Sequence, residues 1–241
     1  MKILSVECSA TMCSAAVIDN GKIITSSFSN VKLTHSQTLM PLIVSMLQNA
    51  KLTLDDIEGF AIAAGPGSFT GVRIGISAVK GLAQAKKIPC VAVSTLRAMP
   101  EMYKGRNCIV CPVMDARCNQ FYNALFEVDG ENIIRLTEDR AVLGSDLADE
   151  LKKLSEKSEK EIIIAGDGAD LFFKFVNDVK GVKLALEPNK YQNASCVALA
   201  AEEKFLKGET VSADKLLPIY LRLPQAEREL KEKNKTKDIG V

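Results

Sequence analysis

The chain has 241 residues, 47% hydrophobic and 25% charged, the make-up of a soluble globular protein with room for one large domain or two lobes of about 100 residues each. Its 31 basic residues stand against 30 acidic ones, so net charge marks neither a nucleic-acid nor a membrane surface, and the 5% of aromatics, with no Trp, argues against base stacking. No stretch approaches the about 18–20 consecutive apolar residues of a membrane span, and 3-ILSVECSATMCSAAVI-18, interrupted by Glu7, reads as two strands rather than a signal peptide, so a cytoplasmic location is expected.

The first strands are expected at Ile3–Cys8, Cys13–Ile18 and Lys22–Phe28, with Asn20-Gly21 as the tight turn of a hairpin. Thr34 with Gln37 three residues on has the pattern of a capping box, which places a helix over Thr34–Ala50. Pro41 inside it should kink that helix or move its start. A strand at Gly59–Ala64, a helix at Phe69–Lys86, a strand at Ile88–Val93 and a helical stretch at Thr95–Tyr103 complete the half.

The same order returns in the second half. Strands are expected at Cys108–Met114, Gln120–Val128 and Ile133–Leu136, then a helix at Ser145–Ser155 and a strand at Glu161–Ala165. A helix at Ala169–Val176, a strand at Val182–Leu186 and a helix at Ala194–Leu206 finish it. Three antiparallel strands followed by parallel strands and crossover helices form a ribonuclease-H-like unit. Two in tandem give the α/β architecture of the actin, sugar kinase and Hsp70 ATPase superfamily, each lobe of the βββαβα type. The division is 1–104 for the first lobe and 105–222 for the second, whose last segment can pack back on the first, with 223–241 a charged tail.

The segment 65-GPGSFTGVRIG-75, a glycine-rich turn from strand to helix, invites a phosphate reading. It nevertheless lacks the Lys and Ser/Thr that a P-loop needs after its last glycine, and its third glycine falls one residue late for a dinucleotide fingerprint. Gly71, Gly75, Ala78, Gly81 and Ala85 recur at spacings of four, three, three and four, one small-residue face of a helix. Each glycine there costs about 1 kcal/mol relative to Ala, which close approach of another backbone would offset. The opposite stripe, Phe69, Val72, Ile76, Val79 and Ala83, should bury against the sheet. The small face then wants a partner, either the Thr34–Ala50 helix or another subunit.

Groups able to do chemistry are few. His35 is the only histidine and sits at a helix start. Glu7 lies where an actin-type ATPase carries the acid that faces phosphate. Asp115 and Arg117 read equally as a cleft-facing pair and as a turn-stabilising Asp beside a surface Arg. Gly166-Asp167-Gly168 reads as an anion contact or as a plain strand-to-helix turn. Seven cysteines, an odd number, fit reduced thiols. The Cys108–Cys111 pair lies in a strand, where residues three apart face opposite ways, so no zinc site is expected from it.

Taken together, 65-GPGSFTGVRIG-75, 80-KGLA-83, His35-Ser36 ahead of 39-LMPLI-43, 115-DAR-117 with Phe121-Tyr122, 166-GDGA-169 and 218-PIYLR-222 resemble the TsaB (YeaZ) family of threonylcarbamoyladenosine biosynthesis proteins, from the N-terminus to Arg222. The resemblance implies a non-catalytic scaffold subunit. It would pair with a TsaD-like subunit that transfers threonylcarbamoyl to A37 of tRNAs reading ANN codons, be joined by a TsaE-like ATPase, and form a homodimer when alone. Contact with tRNA would come only through the complex.

The implied interface is the first two helices, through His35, Leu39, Leu42, Met46, Gly71, Gly75, Ala78, Gly81 and Ala85, so that Gly75→Leu or Ala78→Glu is expected to break the complex and leave the monomer folded. An anion or nucleotide, if the cleft takes one, would meet Gly65, Gly67, Ser68, Thr70, Arg73, Glu7, Asp115 and Arg117. No cofactor of its own is implied, ATP being left an option at the interface of the complex. No metal is implied, because the histidine pair of the metal-binding relative is here His35 and Leu39. The family's first strand commonly reads Asp-Thr-Ser where this chain has Glu7-Cys8-Ser9, which puts a phosphate role for that turn in doubt. The rival readings are an actin-like ATPase or small-molecule kinase using Glu7, Asp115 and the glycine loop, and a metalloprotease, against which the single histidine counts.

Overall fold

The computed structural model describes residues 1–31 and 33–222; the expected charged tail, 223–241, lies outside the described residues. The first 29 residues form an antiparallel meander of β1 (Lys2–Glu7), β2 (Cys13–Asp19) and β3 (Lys22–Ser29). Asn20 and Gly21 turn the hairpin with φ of 48° and 73°, as a two-residue loop requires. α1 (His35–Asn49) leads to β4 (Gly59–Ala63) and α2 (Phe69–Lys86) to β5 (Cys90–Val93), both strands parallel in the sheet order β3-β2-β1-β4-β5.

Two details of α1 depart from expectation. Thr34 is the N-cap, but its hydroxyl meets the side chains of Ser36 and Gln37 rather than a backbone N–H, so the capping box does not form. The helix starts where expected and continues through Pro41.

After α3 (Thr95–Ala98) and a 3-10 turn at Met99–Tyr103, the second sheet is built on β6 (Arg106–Asp115). The single strand expected over Gln120–Val128 is broken into β7 (Gln120–Asn123) and β8 (Phe126–Gly130). The break lies opposite Cys111 and Pro112 of β6, since β7 pairs through Val113↔Asn123 and β8 through Val110↔Phe126. Pro112 has no N–H to give the ladder, and the buried Asn123 side chain fills the gap, its Nδ2 donating to the Pro112 carbonyl at 2.9 Å.

β9 (Asn132–Arg135) pairs with β8, and β10 (Arg140–Leu143), which periodicity did not reveal, pairs with β7. α4 (Gly144–Lys157), β11 (Glu161–Ala165), α5 (Ala169–Phe173) and β12 (Val182–Leu184) complete the lobe, β11 and β12 running parallel to β6. With β7 and β8 counted as one strand and β9 and β10 as the next, the strand order repeats that of the first sheet.

α6 (Ala194–Leu206) follows the second sheet in sequence but packs on the first. Val197, Ala198 and Ala201 bury against Ile3, Ile18, Ala61 and Ala63, while α1 and α2 cover Leu4, Val6, Ala15 and Val17 on the other face. Ser5 Oγ donates to the Ala194 carbonyl at 2.6 Å, and the Ala194 N–H donates to Ser14 Oγ at 2.9 Å. The chain then crosses back, with Leu216 buried and the Ile219 N–H donating to the Ala64 carbonyl at 2.7 Å.

α2 buries Val72, Ile76, Val79 and Ala83, as its apolar stripe requires. Phe69 instead stacks on Tyr220, with ring centroids 4.7 Å apart. The small-residue stripe divides. A Cβ on Gly71 would stand 2.1 Å from the Cys8 carbonyl oxygen and 3.1 Å from His35 Cδ2, and one on Gly75 would stand 2.9 Å from Ile62 Cδ1. Both glycines therefore serve packing within the chain, where α2 lies against β1, β4 and α1. Only Gly81 and Ala85 are exposed, and a Cβ on Gly81 would meet nothing within 4 Å.

The two ends of that stripe should respond oppositely. Gly71→Ala forces backbone apart and is expected to cost about 3 kcal/mol or more, the upper end of overpacking, lowering the melting temperature by roughly 6–12 °C for a chain of this size. Gly81→Ala should raise stability by up to about 1 kcal/mol. Thermal unfolding followed by circular dichroism distinguishes them, and equal effects would contradict the packing described.

Candidate functional site

Between the two sheets lies an open cavity of about 860 Å³. Its walls come from the turn after β1 (Ser9, Ala10, Thr11), the glycine loop before α2 (Gly67, Ser68, Thr70), the end of β6 (Asp115, Ala116, Arg117), Asp167 and the returning C-terminal segment (Tyr220, Arg222). These are the carboxyl ends of the parallel strands in both lobes, where open α/β sheets place their ligand sites.

The glycine loop is shaped by backbone contact. A Cβ at Gly67 would be 2.4 Å from the Ser9 carbonyl oxygen, and one at Gly65 equally close to that of Ile219. The Ser68 N–H donates to the Ser9 carbonyl at 2.6 Å, and Ser68 Oγ caps α2 by accepting the Gly71 N–H at 3.2 Å. Donors that a phosphate loop would turn outward are in part tied inward to the β1 turn. Thr70 lines the cavity and is exposed. Arg73 is bound to the returning segment, its guanidinium 3.8 Å above the Phe69 ring and its Nε donating to Tyr220 Oη at 2.8 Å.

Glu7 is the most constrained of the candidate residues. It is 1% exposed, Oε1 accepts the Ser9 N–H, and Oε2 has no partner, nor has Ser9 Oγ. Burial pushes its carboxyl up to about 7, the Ser9 N–H opposing and Asp167 adding to the rise. Glu7 is not part of the cavity wall.

Asp167 is. Burial lifts it to about 6, with the bond from Gln192 Nε2 at 2.9 Å opposing and Asp115 adding. Asp167 gives α5 no side-chain cap, since the N-cap is Gly168; its carboxylate turns to Gln192 and the cavity instead. Asp115 accepts the Arg117 N–H at 2.7 Å and holds Arg117, Cys118 and Asn119 through three successive positive φ values (68°, 54° and 56°). Asp115 thus stabilises a turn and also lines the cavity, so both readings of it describe the structure.

The interface residues fall into two groups. Leu39 and Met46 are core, 1% exposed, while His35, Leu42 and Ala78 are half-buried. The apolar groups that α1 turns outward are Met40 and Val44, 39% and 48% exposed, which sequence reasoning did not select. It also missed that Tyr220 and Arg222 close the cavity, Arg222 donating to the Ala116 carbonyl at 3.0 Å. The one signal for these was their place in the motif 218-PIYLR-222.

Cys108 and Cys111 enter different apolar clusters on opposite faces of their sheet, as strand geometry dictates. Cys8 and Cys13, five residues apart across the β1–β2 turn, instead bring their sulfurs to 3.5 Å beside His35. Nothing in the spacing announced that group.

Two ribonuclease-H-like lobes with a cavity at their shared strand ends make up an actin-like α/β fold. A family model described as "TsaD: tRNA N6-adenosine threonylcarbamoyltransferase" matches residues 28–230. The chain is 31% identical to the tRNA threonylcarbamoyladenosine biosynthesis protein TsaB of Bacillus subtilis, over 98% of this chain and 100% of that one. Against the TsaB of Escherichia coli it is 30% identical over 92% and 95%. YeaZ from Pseudomonas aeruginosa superposes with a TM-score of 0.76 at 25% identity, covering 91% of this chain and 99% of that one. The chain belongs to the TsaB (YeaZ) family of tRNA threonylcarbamoyladenosine biosynthesis proteins. Among the described residues no helix is long and apolar enough to cross a membrane.

The buried acids give the fold a pH signature. The folded pKa of Glu7 lies above its unfolded value, so the folded state binds more protons between about 4.5 and about 7 and stability falls as pH rises through that window. A shift of this size corresponds to on the order of 3 kcal/mol at pH 8, and Asp167 acts in the same direction. Glu7→Gln should flatten the profile and gain most above pH 7. Urea unfolding at pH 5.5 and pH 8 checks this, and an unchanged slope in the variant would count against it.

Proposed function

We propose that the chain is a non-catalytic subunit that supports a TsaD-like threonylcarbamoyl transferase acting on A37 of tRNAs reading ANN codons. The outward face of α1 and α2 is the docking surface. A TsaE-like ATPase joins the assembly, a homodimer uses the same face when the partner is missing, and tRNA is met only through the complex. ATP, where it enters, binds within that complex.

The observation that carries this reading is Gly81. It sits exposed inside an 18-residue helix with open space where its Cβ would be, so nothing among the described residues offsets its about 1 kcal/mol helix penalty. Close approach of a second helix would offset it, and Met40 and Val44 supply exposed apolar surface on α1, which packs beside α2.

Glu7 supports the non-catalytic part. An acid that works on phosphate must be ionised and face the ligand, whereas this one is buried behind the cavity wall and holds its proton up to about 7. Turnover of Mg-ATP by the isolated chain, abolished in Glu7→Gln, would replace this reading with that of an ATPase.

Gly75→Leu is not a usable interface probe, because its side chain would be driven into Ile62. Gly81→Leu and Val44→Glu are the appropriate pair. Each should weaken co-elution with the TsaD-like partner at least about tenfold, about 1.4 kcal/mol, with the melting temperature unchanged or raised for Gly81→Leu. Unaltered co-elution of both variants on size-exclusion chromatography would remove the proposed surface.

A further inference from the structure

The β1–β2 turn and the start of α1 bring together three groups with soft-metal chemistry. Cys8 and Cys13 offer one sulfur each and His35 a ring nitrogen, all within 4.8 Å of one another. We propose that Cys8, Cys13 and His35 form a binding site for a borderline-soft divalent cation of the zinc type, with the fourth position left to water or to a donor from outside the chain.

Four observations support the assignment. The sulfurs are 3.5 Å apart, and two thiolates on a tetrahedral zinc, each at about 2.3 Å, stand about 3.8 Å apart. The His35 ring is already oriented, since Nε2 lies 2.7 Å from the Ala10 carbonyl. A carbonyl only accepts, so Nε2 carries the proton and Nδ1 keeps the lone pair, the arrangement in which a backbone carbonyl fixes the tautomer of a metal-ligating histidine.

One ligand also meets the cavity: His35 forms part of its wall, while Cys8 and Cys13 are buried. The thiols face each other across a single hydrogen bond within one buried cluster.

Binding is a displacement of protons. The cation takes two thiolates and the neutral imidazole, two thiol protons leave to solvent, and no oxidant or reductant is involved. Two thiolates offset the charge of a divalent ion, so the filled site adds no net charge to the apolar cluster that holds Cys8 and Cys13. The ligands come from the end of β1, the start of β2 and the first residue of α1, so a bound ion would pin α1 to the cleft turn.

The test uses the full-length, fully reduced chain under anaerobic conditions. Co²⁺ titration should show one equivalent with the intense visible bands of tetrahedral coordination and a sulfur-to-cobalt charge-transfer band, and Zn²⁺ should displace it. Cys8→Ser with Cys13→Ser should abolish the charge-transfer band. His35→Gln should keep it but lower Zn²⁺ affinity, measured against a chromophoric chelator, by more than the about 10–100-fold that loss of an outer-shell partner costs. Cys118→Ser, at an exposed thiol that is not one of the three ligands, should match the unaltered chain. Circular dichroism melts of the metal-free variants check that each is folded. The proposal is overturned if the reduced chain shows no charge-transfer band at one equivalent, or if the double Cys→Ser variant binds as tightly as the unaltered chain.

Discussion

The fold depends on one contact made twice. In each lobe the turn that leaves the second parallel strand must press its backbone against the end of the first strand. In the first lobe Gly71 lies against the Cys8 carbonyl and Gly67 against the Ser9 carbonyl; in the second, Gly166 lies against the Val113 carbonyl, 2.1 Å from where its Cβ would be, and Gly168 against the Asp115 amide. Glycine is the only residue these contacts admit. They set how closely each turn lies against the first strand of its own sheet. A glycine-rich turn at this place serves the same closure whether or not a phosphate ever sits above it.

The join between the lobes follows from chain path. α6 leaves the second sheet and becomes the cover for one face of the first, held by Ser5 and Ser14 through both backbone groups of Ala194. The segment after it returns past β5, where Cys90 and Val211 pair, passes Ala64, and ends with Arg222 on the carbonyl of Ala116 in the opposite lobe. Phe69, Arg73 and Tyr220 stack where this strap crosses the start of α2. The first sheet is thus covered on both faces. Among the described residues the outer surface of α1 and α2 is what the strap leaves open, with exposed apolar groups at Met40 and Val44.

Much of this was legible in the residues. Asn20-Gly21, the apolar stripe of α2 from Val72 to Ala83 and the strand-borne divergence of Cys108 and Cys111 each follow from a local rule that agreed with the tertiary structure, while Phe69, at the head of that stripe, was drawn to Tyr220 instead. What failed to show had non-local causes. Periodicity placed Gly71 and Gly75 beside Gly81 on one face, but only the position of β1 decides that the first two turn inward. Pro112 breaks a strand that is not its own, because the missing donor belongs to β6 and the gap appears between β7 and β8. The Cys8–Cys13–His35 group arises from a strand end, a strand start and a helix start meeting in space, which no spacing rule encodes.

Glu7 is where the cleft turn is fixed from behind. Desolvation of a carboxylate can be offset by donors or cations, but Glu7 receives one N–H on Oε1 and nothing on Oε2. Burial therefore raises the Glu7 carboxyl to about 7, so its proton is held well above the ordinary carboxylate range. A shorter acid at this position would end nearer the backbone of the turn. The extra methylene of Glu lets the carboxyl fold back on its own loop, where it bonds Ser9 two residues on. That bond fixes the turn carrying Cys8, Ser9 and Ala10, and thereby the carbonyls of Cys8 and Ser9 against which the glycines of α2 close.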